Sequence, residues 1–282
     1  MSVHAAWGSA TDCGPYRRLN EDALLAYPPL FVVADGMGGH DAGEVASRIA
    51  IEEASSLAGR PVVTADDVHV VVRAISARVR EAVPAGRTVG TTFAGVGLAT
   101  HDGGSYWLVF NIGDSRVYRF ADGALSQISV DHSVVQELVD RGVIAPQEAH
   151  RHPDRHVITR AIGTGPDPDP DYWLLPVGSD DRMLVCSDGL TDELADDELA
   201  AVLADVADPQ VAAEALVDAA VRRGGRDNVT AIVVDVATAR SVDADSTAQG
   251  AERRAAAKPW DELSDGSTNP RASRARVPEV DR

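Results

Sequence analysis

The pattern of this sequence predicts an α+β fold built on antiparallel sheets, and three observations carry that reading. Strand-like runs rich in Val, Ile, Phe and Tyr come in consecutive groups, at residues 30–34, 92–100, 106–112, 116–120, 183–187 and 229–236. Neighbouring runs are joined by Asp102-Gly103 and Asp122-Gly123, dipeptides that favour tight hairpin turns. The helical stretches stand apart from these groups, whereas a parallel doubly wound sheet would alternate helix with strand.

The helices are announced by their first residues. Residues 43–57 read as the first helix. Thr64-Ala65-Asp66-Asp67 resembles a capping box, and Val68, Val71, Val72, Ile75 and Val79 follow at the spacing of one buried face. A third helix starts with Asp208 as N-cap and Pro209 at the first helical position. It buries Ala212, Ala215, Leu216 and Ala219 and stops at Gly224-Gly225. Beyond about Ala237 the periodicity disappears. Residues 241–282 scatter Asp, Ser, Pro, Arg and Ala around the isolated Trp260 and Leu263, too little apolar surface to offset their own ordering entropy. They read as a disordered tail, with a short docking segment around Pro259-Trp260 as the alternative. Residues 1–240 then form one domain, without internal repeats.

The 282 residues include 44 acidic against 26 basic, a formal charge of −18. Nucleic acid or an anionic membrane would be repelled over much of such a surface, and cations are its natural ligands. The two cysteines, Cys13 and Cys186, have no Cys-x-x-Cys spacing, and Cys186 sits in an apolar run as a small hydrophobe; this suits a reducing cytosol. The sequence shows neither a leader pattern at its N-terminus nor a membrane-length apolar run, so it reads as cytoplasmic.

Aspartates recur where apolar strands end. Phe31-Val32-Val33-Ala34 runs into Asp35-Gly36, residues 108–113 run into Asp114, and residues 183–187 run into Asp188-Gly189. A strand end fixes a side chain while leaving it open to a cleft, and a following glycine lets the chain turn and expose a carbonyl. Asp227 holds the mirror position just before the last strand, and Asn20-Glu21-Asp22 adds two carboxylates. A single Asp-Gly is ordinarily a turn; turns do not ask for repetition after apolar strands. With oxygen donors and no His or Cys at zinc-like spacing, this set favours Mg²⁺ or Mn²⁺.

Six segments then arrive in a familiar order: Arg17-Arg18-Leu19-Asn20-Glu21-Asp22, Val33-Ala34-Asp35-Gly36-Met37-Gly38-Gly39, Gly90-Thr91-Thr92, Asn111-Ile112-Gly113-Asp114-Ser115-Arg116, Cys186-Ser187-Asp188-Gly189-Leu190 and Arg226-Asp227-Asn228-Val229-Thr230. The chain up to about Ala237 resembles the bacterial protein phosphatase 2C enzymes. The resemblance implies a four-layer α-β-β-α sandwich of two antiparallel sheets flanked by helices, with a dinuclear site of Mn²⁺ or Mg²⁺ at one end. It also implies the roles. Asp35 bridges two ions, the Gly36 carbonyl binds one, and Asp188 and Asp227 complete the shell of the other. Glu21 and Asp22 act through water, and Asp114 matches the position of a third, weaker ion that Asp188 is placed to share. Arg17 grips the phosphate through its planar guanidinium.

The implied activity is dephosphorylation of phosphoserine and phosphothreonine in proteins, with a Ser/Thr kinase or its substrates as partners. A water bridging two cations loses its proton near neutral pH, and the resulting hydroxide attacks phosphorus in line. The proton donor to the leaving alkoxide stays open. Where eukaryotic members carry His after Asp-Gly, this chain has Met37; His40 in the same loop serves either as that donor or as a solvated histidine. His132 matches another family position and reads as structural. Residues between His132 and Asp188 show little β pattern and correspond to the family's variable flap; their His and Arg content suggests recruitment of acidic phosphoproteins.

Two other signals are set aside. Gly36-Met37-Gly38-Gly39-His40-Asp41 has Asp where a dinucleotide loop needs Gly or Ala. Asp167-Pro168-Asp169-Pro170-Asp171 opens like a calcium loop but lacks its glycine and final Glu, and reads as an acidic surface loop. Two alternatives remain beside phosphoprotein hydrolysis: a catalytically silent binding module, and hydrolysis of a small-molecule phosphate ester.

Overall fold

The structure, a computed structural model, describes residues 3–38, 42–83, 88–238 and 258–259. In chain order its elements are β1 (Val3–Asp12), β2 (Asp22–Tyr27), β3 (Leu30–Gly38), α1 (Ala42–Ala54) and α2 (Ala65–Ala82), then β4 (Val89–Thr91), β5 (Phe93–His101), β6 (Gly104–Ile112), β7 (Arg116–Ala121) and β8 (Ala124–Gln127). There follow α3 (Val134–Asp140), α4 (Pro146–Ala149), β9 (Asp171–Pro176), β10 (Arg182–Cys186), α5 (Asp188–Thr191), α6 (Asp196–Asp205), α7 (Pro209–Arg223), β11 (Val229–Thr238) and β12 (Lys258–Pro259).

One sheet has the order β1-β11-β10-β7-β8, and the other β12-β9-β6-β5-β3-β2 with β4 paired onto β3; every pairing is antiparallel. The period-2 alternation of side chains builds the layers. In β3, Leu30, Val32 and Ala34 face the core shared with α1 and α2, while Phe31 and Val33 face the opposite sheet. In β10, Leu184 and Cys186 face α6 and α7, while Met183 and Val185 meet the inter-sheet core. Two sheets buried on both faces give the expected four layers, helix on sheet on sheet on helix.

The Thr64 capping box with Asp67 closes in both directions, and Val68, Val71, Val72, Ile75 and Val79 are all buried. Asp208 caps α7 through Gln210 N and Val211 N. The buried face of α7 is rotated from the expected one: Ala212, Ala213, Leu216, Val217 and Ala220 are buried, whereas Ala215 and Ala219 are half-buried. The helix packs on both β1 and β11, and this sets its face.

The region between His132 and Asp188 contains β9, a strand the sequence pattern does not announce, ahead of β10, which matches the predicted run 183–187. Asp171 is correspondingly no surface-loop residue. It opens β9, accepts from Arg160 Nη1 at 2.8 Å and lies 3.2 Å from His132 Nε2. The expected tail, residues 241–282, lies outside the described residues apart from Lys258–Pro259, which pair with β9. Among the described residues no helix is long and apolar enough to cross a membrane.

Candidate metal centre

The antiparallel registers bring the predicted carboxylates together, although Asp35 lies within β3 rather than at its end, because the strand runs on to Gly38 and pairs there with β4. Asp22 and Asp35 are direct partners across β2 and β3. Cys186 at the end of β10 pairs with Ala231 near the start of β11, so Asp188, just after β10, and Asp227, just before β11, lie at the same end of the sandwich. Asp114 occupies the link between β6 and β7. Arg17, Glu21, Asp35, Gly36, Asp114, Asp188 and Asp227 all line one cavity of about 610 Å³. His150, Arg155, His156 and Arg226 line it as well and add basic groups to acidic walls.

Glycine and asparagine make this convergence possible. A Cβ on Gly36 would stand 2.2 Å from the Gly43 carbonyl oxygen, so only glycine admits the start of α1 so close to β3. A Cβ on Gly189 would stand 2.0 Å from the Asn228 carbonyl oxygen. The Asn228 side chain secures the loop that carries Arg17: its Nδ2 donates to the carbonyls of Cys13 and Leu19, each at 2.9 Å, and its Oδ1 accepts from Glu21 N at 2.8 Å. Arg17 Nη2 donates to Asp227 Oδ2 at 2.6 Å.

Asp22 departs from its neighbours. It lies beneath the cavity, where its Oδ2 accepts from Ser187 Oγ at 2.7 Å and Thr230 Oγ1 at 2.6 Å. Its Oδ1 and the Oδ1 of Asp114 are buried with no hydrogen-bond partner, a costly arrangement for a carboxylate unless something positive completes it.

Burial raises these carboxyls before any neighbour does. Asp22 is pushed up to about 6, against the help of Thr230 and Ser187. Asp114 is pushed up to about 7, with Asp131 adding to the effect of burial. Asp35 is raised well above the ordinary range by burial and then by Asp22, Asp188, Asp114 and Asp227; Asp188 is raised by burial, Asp114, Asp192, Asp227 and Asp22. Glu21 rises more modestly, through burial offset by Arg17. Mutual repulsion at this density, with unpartnered buried oxygens and an all-oxygen donor set, fits hard divalent cations.

His40 lies outside the described residues. His132 stands apart from the cavity and is structural: its Nδ1 accepts from Gly113 N at 3.0 Å and its ring faces Asp171. Among the cavity residues that escaped the sequence reading as site residues are the charged Asp192, Glu193 and Arg226. Asp192 had a readable signal, its position one helical turn after Asp188.

A fold of two packed antiparallel sheets with an acidic end defines a class, and the family model described as protein phosphatase 2C matches residues 18–223. The chain belongs to that family. It is 41% identical over 238 residues to the serine/threonine protein phosphatase PstP of Mycobacterium tuberculosis, covering 82% of this chain and 45% of that protein, about half the relative's length. It is 31% identical to the serine/threonine phosphatase stp of Listeria monocytogenes, covering 80% of this chain and 93% of stp. The solved catalytic domain of the phosphatase PstP in complex with 2 manganese ions superposes with a TM-score of 0.74 at 36% identity, covering 84% of this chain and 99% of that one.

Proposed function

We propose that this chain is a metal-dependent protein serine/threonine phosphatase that reverses Ser/Thr kinase signalling in a bacterium. The observation that carries the reading is the convergence of Asp35, Asp188 and Asp227, with Glu21 and Gly36, on one cavity beside Arg17. The manganese in the PstP structure supports Mn²⁺ or Mg²⁺ as the ions, two per site. When bound, such a pair supplies a hydroxide at neutral pH for in-line attack and offsets charge on the phosphoryl group.

The chain's own residues do the rest. Asp35, within β3 and paired across to Asp22, lines the cavity and would be the residue to bridge two ions, as the family resemblance implies. Asp114 is the candidate ligand for a third ion, with Asp188 shared. Asp22, under the floor, positions this set through Ser187 and Thr230 and reaches an ion only through water. Arg17 keeps Nη2 on Asp227, and the remaining N–H groups of its fork are donors for two phosphoryl oxygens. His40 is the candidate proton donor. Residues 1–240 form the catalytic domain and 241–282 the tail. Phosphoserine and phosphothreonine proteins are the substrates, a kinase or its targets the partners, and the cytoplasm the site of action.

The deciding experiment is hydrolysis of a phosphothreonine peptide and of para-nitrophenyl phosphate with Mn²⁺, with Mg²⁺ and with chelator, for the wild type and Asp188→Asn. Metal-dependent hydrolysis of the peptide, lost in the variant, is expected. Activity surviving chelation or the substitution sinks the mechanism. Activity on the aryl ester alone transfers the reading to a small-molecule substrate.

A further inference from the structure

Among the described residues only Lys258 and Pro259 lie beyond β9 in its sheet. The register with β6 fixes which backbone groups of β9 look outward. Val177 N donates to Ser105 O at 3.1 Å, one step beyond the pair Pro176–Tyr106. Bonded and non-bonded pairs alternate along an antiparallel ladder, so Asp171, Trp173 and Leu175 direct their N–H and C=O groups to β6. Tyr172, Leu174 and Pro176 turn theirs away, and Pro176 has no N–H to leave open. Tyr172 and Leu174 thus present two donors and two acceptors along an uncharged run, Tyr172-Trp173-Leu174-Leu175, a template for another strand.

Lys258 stands opposite Leu174 and Pro259 opposite Trp173, in antiparallel register. The register suits these residue types. Lys258 meets an outward-facing residue and can exchange both bonds with it, whereas Pro259 meets Trp173, whose groups are turned to β6, and a missing N–H costs nothing there. A shift of one residue either way would set the proline opposite Leu174 or Tyr172 and leave a β9 carbonyl without its donor.

We propose that the edge of β9 is a strand-docking site whose occupant is this chain's own segment around Lys258 and Pro259, with Trp260 opposite Tyr172 as the next bonded pair. The mode is β-augmentation, in which main-chain bonds supply the affinity. The same chain can reach: residues 239–257 give about 60 Å of extended chain, several times the spacing of about 10 Å between packed sheets. Direction gives the docking its consequence. β9 starts at the acidic end of the sandwich, with Asp171 opposite Asn111, so a segment antiparallel to it runs toward that end. Asp171 there accepts from Arg160 Nη1 at 2.8 Å and lies 3.2 Å from His132 Nε2. The docked segment therefore leads the chain after Pro259 to the base of the flap, and it closes the β9 edge to pairing with a second copy. None of this depends on the hydrolysis reading.

Residue-resolved hydrogen exchange on the full chain tests the inference. In the wild type the amides of Tyr172 and Leu174 should be protected alongside those of Trp173 and Leu175. Lys258→Pro and Trp260→Pro each remove a donor from a bonded position. Each should speed exchange at Tyr172 and Leu174 by about tenfold or more while Trp173 and Leu175, bonded to β6, keep their wild-type rates. Pro259→Ala, at the position that needs no donor, should leave all four unaltered. Rapid exchange of Tyr172 and Leu174 in the wild type, or protection that survives Lys258→Pro, overturns the inference. Protection that fades on dilution overturns it too, because a second copy would then be supplying the strand.

Discussion

Removing the metal should make the protein less stable as pH rises from 5 to 8. In the metal-free fold Asp22 and Asp114 sit at about 6 and about 7, above the ordinary 3.8. A carboxyl raised on folding binds more protons in the native state than in the unfolded one, so ionising it favours unfolding. Its contribution is greatest at low pH and is lost as pH climbs towards the folded value. At about 1.4 kcal/mol per pH unit, Asp22 loses about 1.4 kcal/mol above pH 5 and Asp114 about 2.7, and coupling between neighbours places the total near 2 to 4 kcal/mol. Asp35 and Asp188 act in the same direction. The lowered carboxyls Asp67 and Asp171 do not interfere, because theirs is stability lost only below about pH 4. Urea denaturation at pH 5, 6, 7 and 8 in chelator measures the slope directly. Adding Mn²⁺ should stabilise most at pH 8, where the ligands are ionised, by about 2.7 kcal/mol for each site filled to a hundredfold excess over its Kd. Stability that is flat or rises with pH in chelator would refute the reasoning, as would a slope that Mn²⁺ leaves unaltered.

Arg17→Lys keeps the charge but not the fork, and should lower kcat/KM for a phosphopeptide by about tenfold or more, read from steady-state kinetics. Of the flap's arginines, Arg155 reaches the cavity, whereas Arg141 pairs with Glu137 and Arg160 with Asp171. Arg155→Glu should therefore cost more on peptides with acidic flanks than on neutral ones, and equal losses on both would remove the flap from substrate choice. Asp181→Ala strands the buried Trp107 Nε1–H and the Arg119 guanidinium, and should cost about 2 to 4 kcal/mol in urea denaturation.

The acidic cavity was legible because it is written in short local words, an apolar run followed by Asp-Gly, and strand alternation then does the folding. What escaped depends on partners far along the chain. β1 has few β-branched residues, yet it pairs over its whole length with β11, and Ser9 exchanges two hydrogen bonds with the Gln210 side chain. Tertiary pairing overrides weak propensity there. β9 was hidden behind an acidic, proline-rich approach, and only the pairing with β6 together with the contacts of Asp171 to Arg160 and His132 shows it to be a strand. The flap is likewise held by backbone bonds between distant residues, Val134 N to Val157 O and Thr159 N to His132 O, invisible to any local pattern.

Glu21 and Asp22 show how far a local pattern reaches. In the sequence they are two adjacent acids with one expected role. Successive side chains at the start of a strand diverge, so Glu21 lines the cavity while Asp22 points beneath it, accepting from Ser187 beside β10 and Thr230 of β11. Asp22 thus ties β2 of one sheet to the other sheet at the acidic end of the sandwich. Asp22→Asn separates the two parts of that job. The amide oxygen keeps both hydroxyl bonds, and the charge that burial disfavours is gone. The chelated variant should be more stable than wild type at pH 8 by about 1 to 3 kcal/mol and bind Mn²⁺ about tenfold more weakly, measured by denaturation and metal titration. A less stable chelated variant would mean that the carboxylate is needed for the fold itself, and the account of Asp22 as a charge held in place for a cation would have to be abandoned.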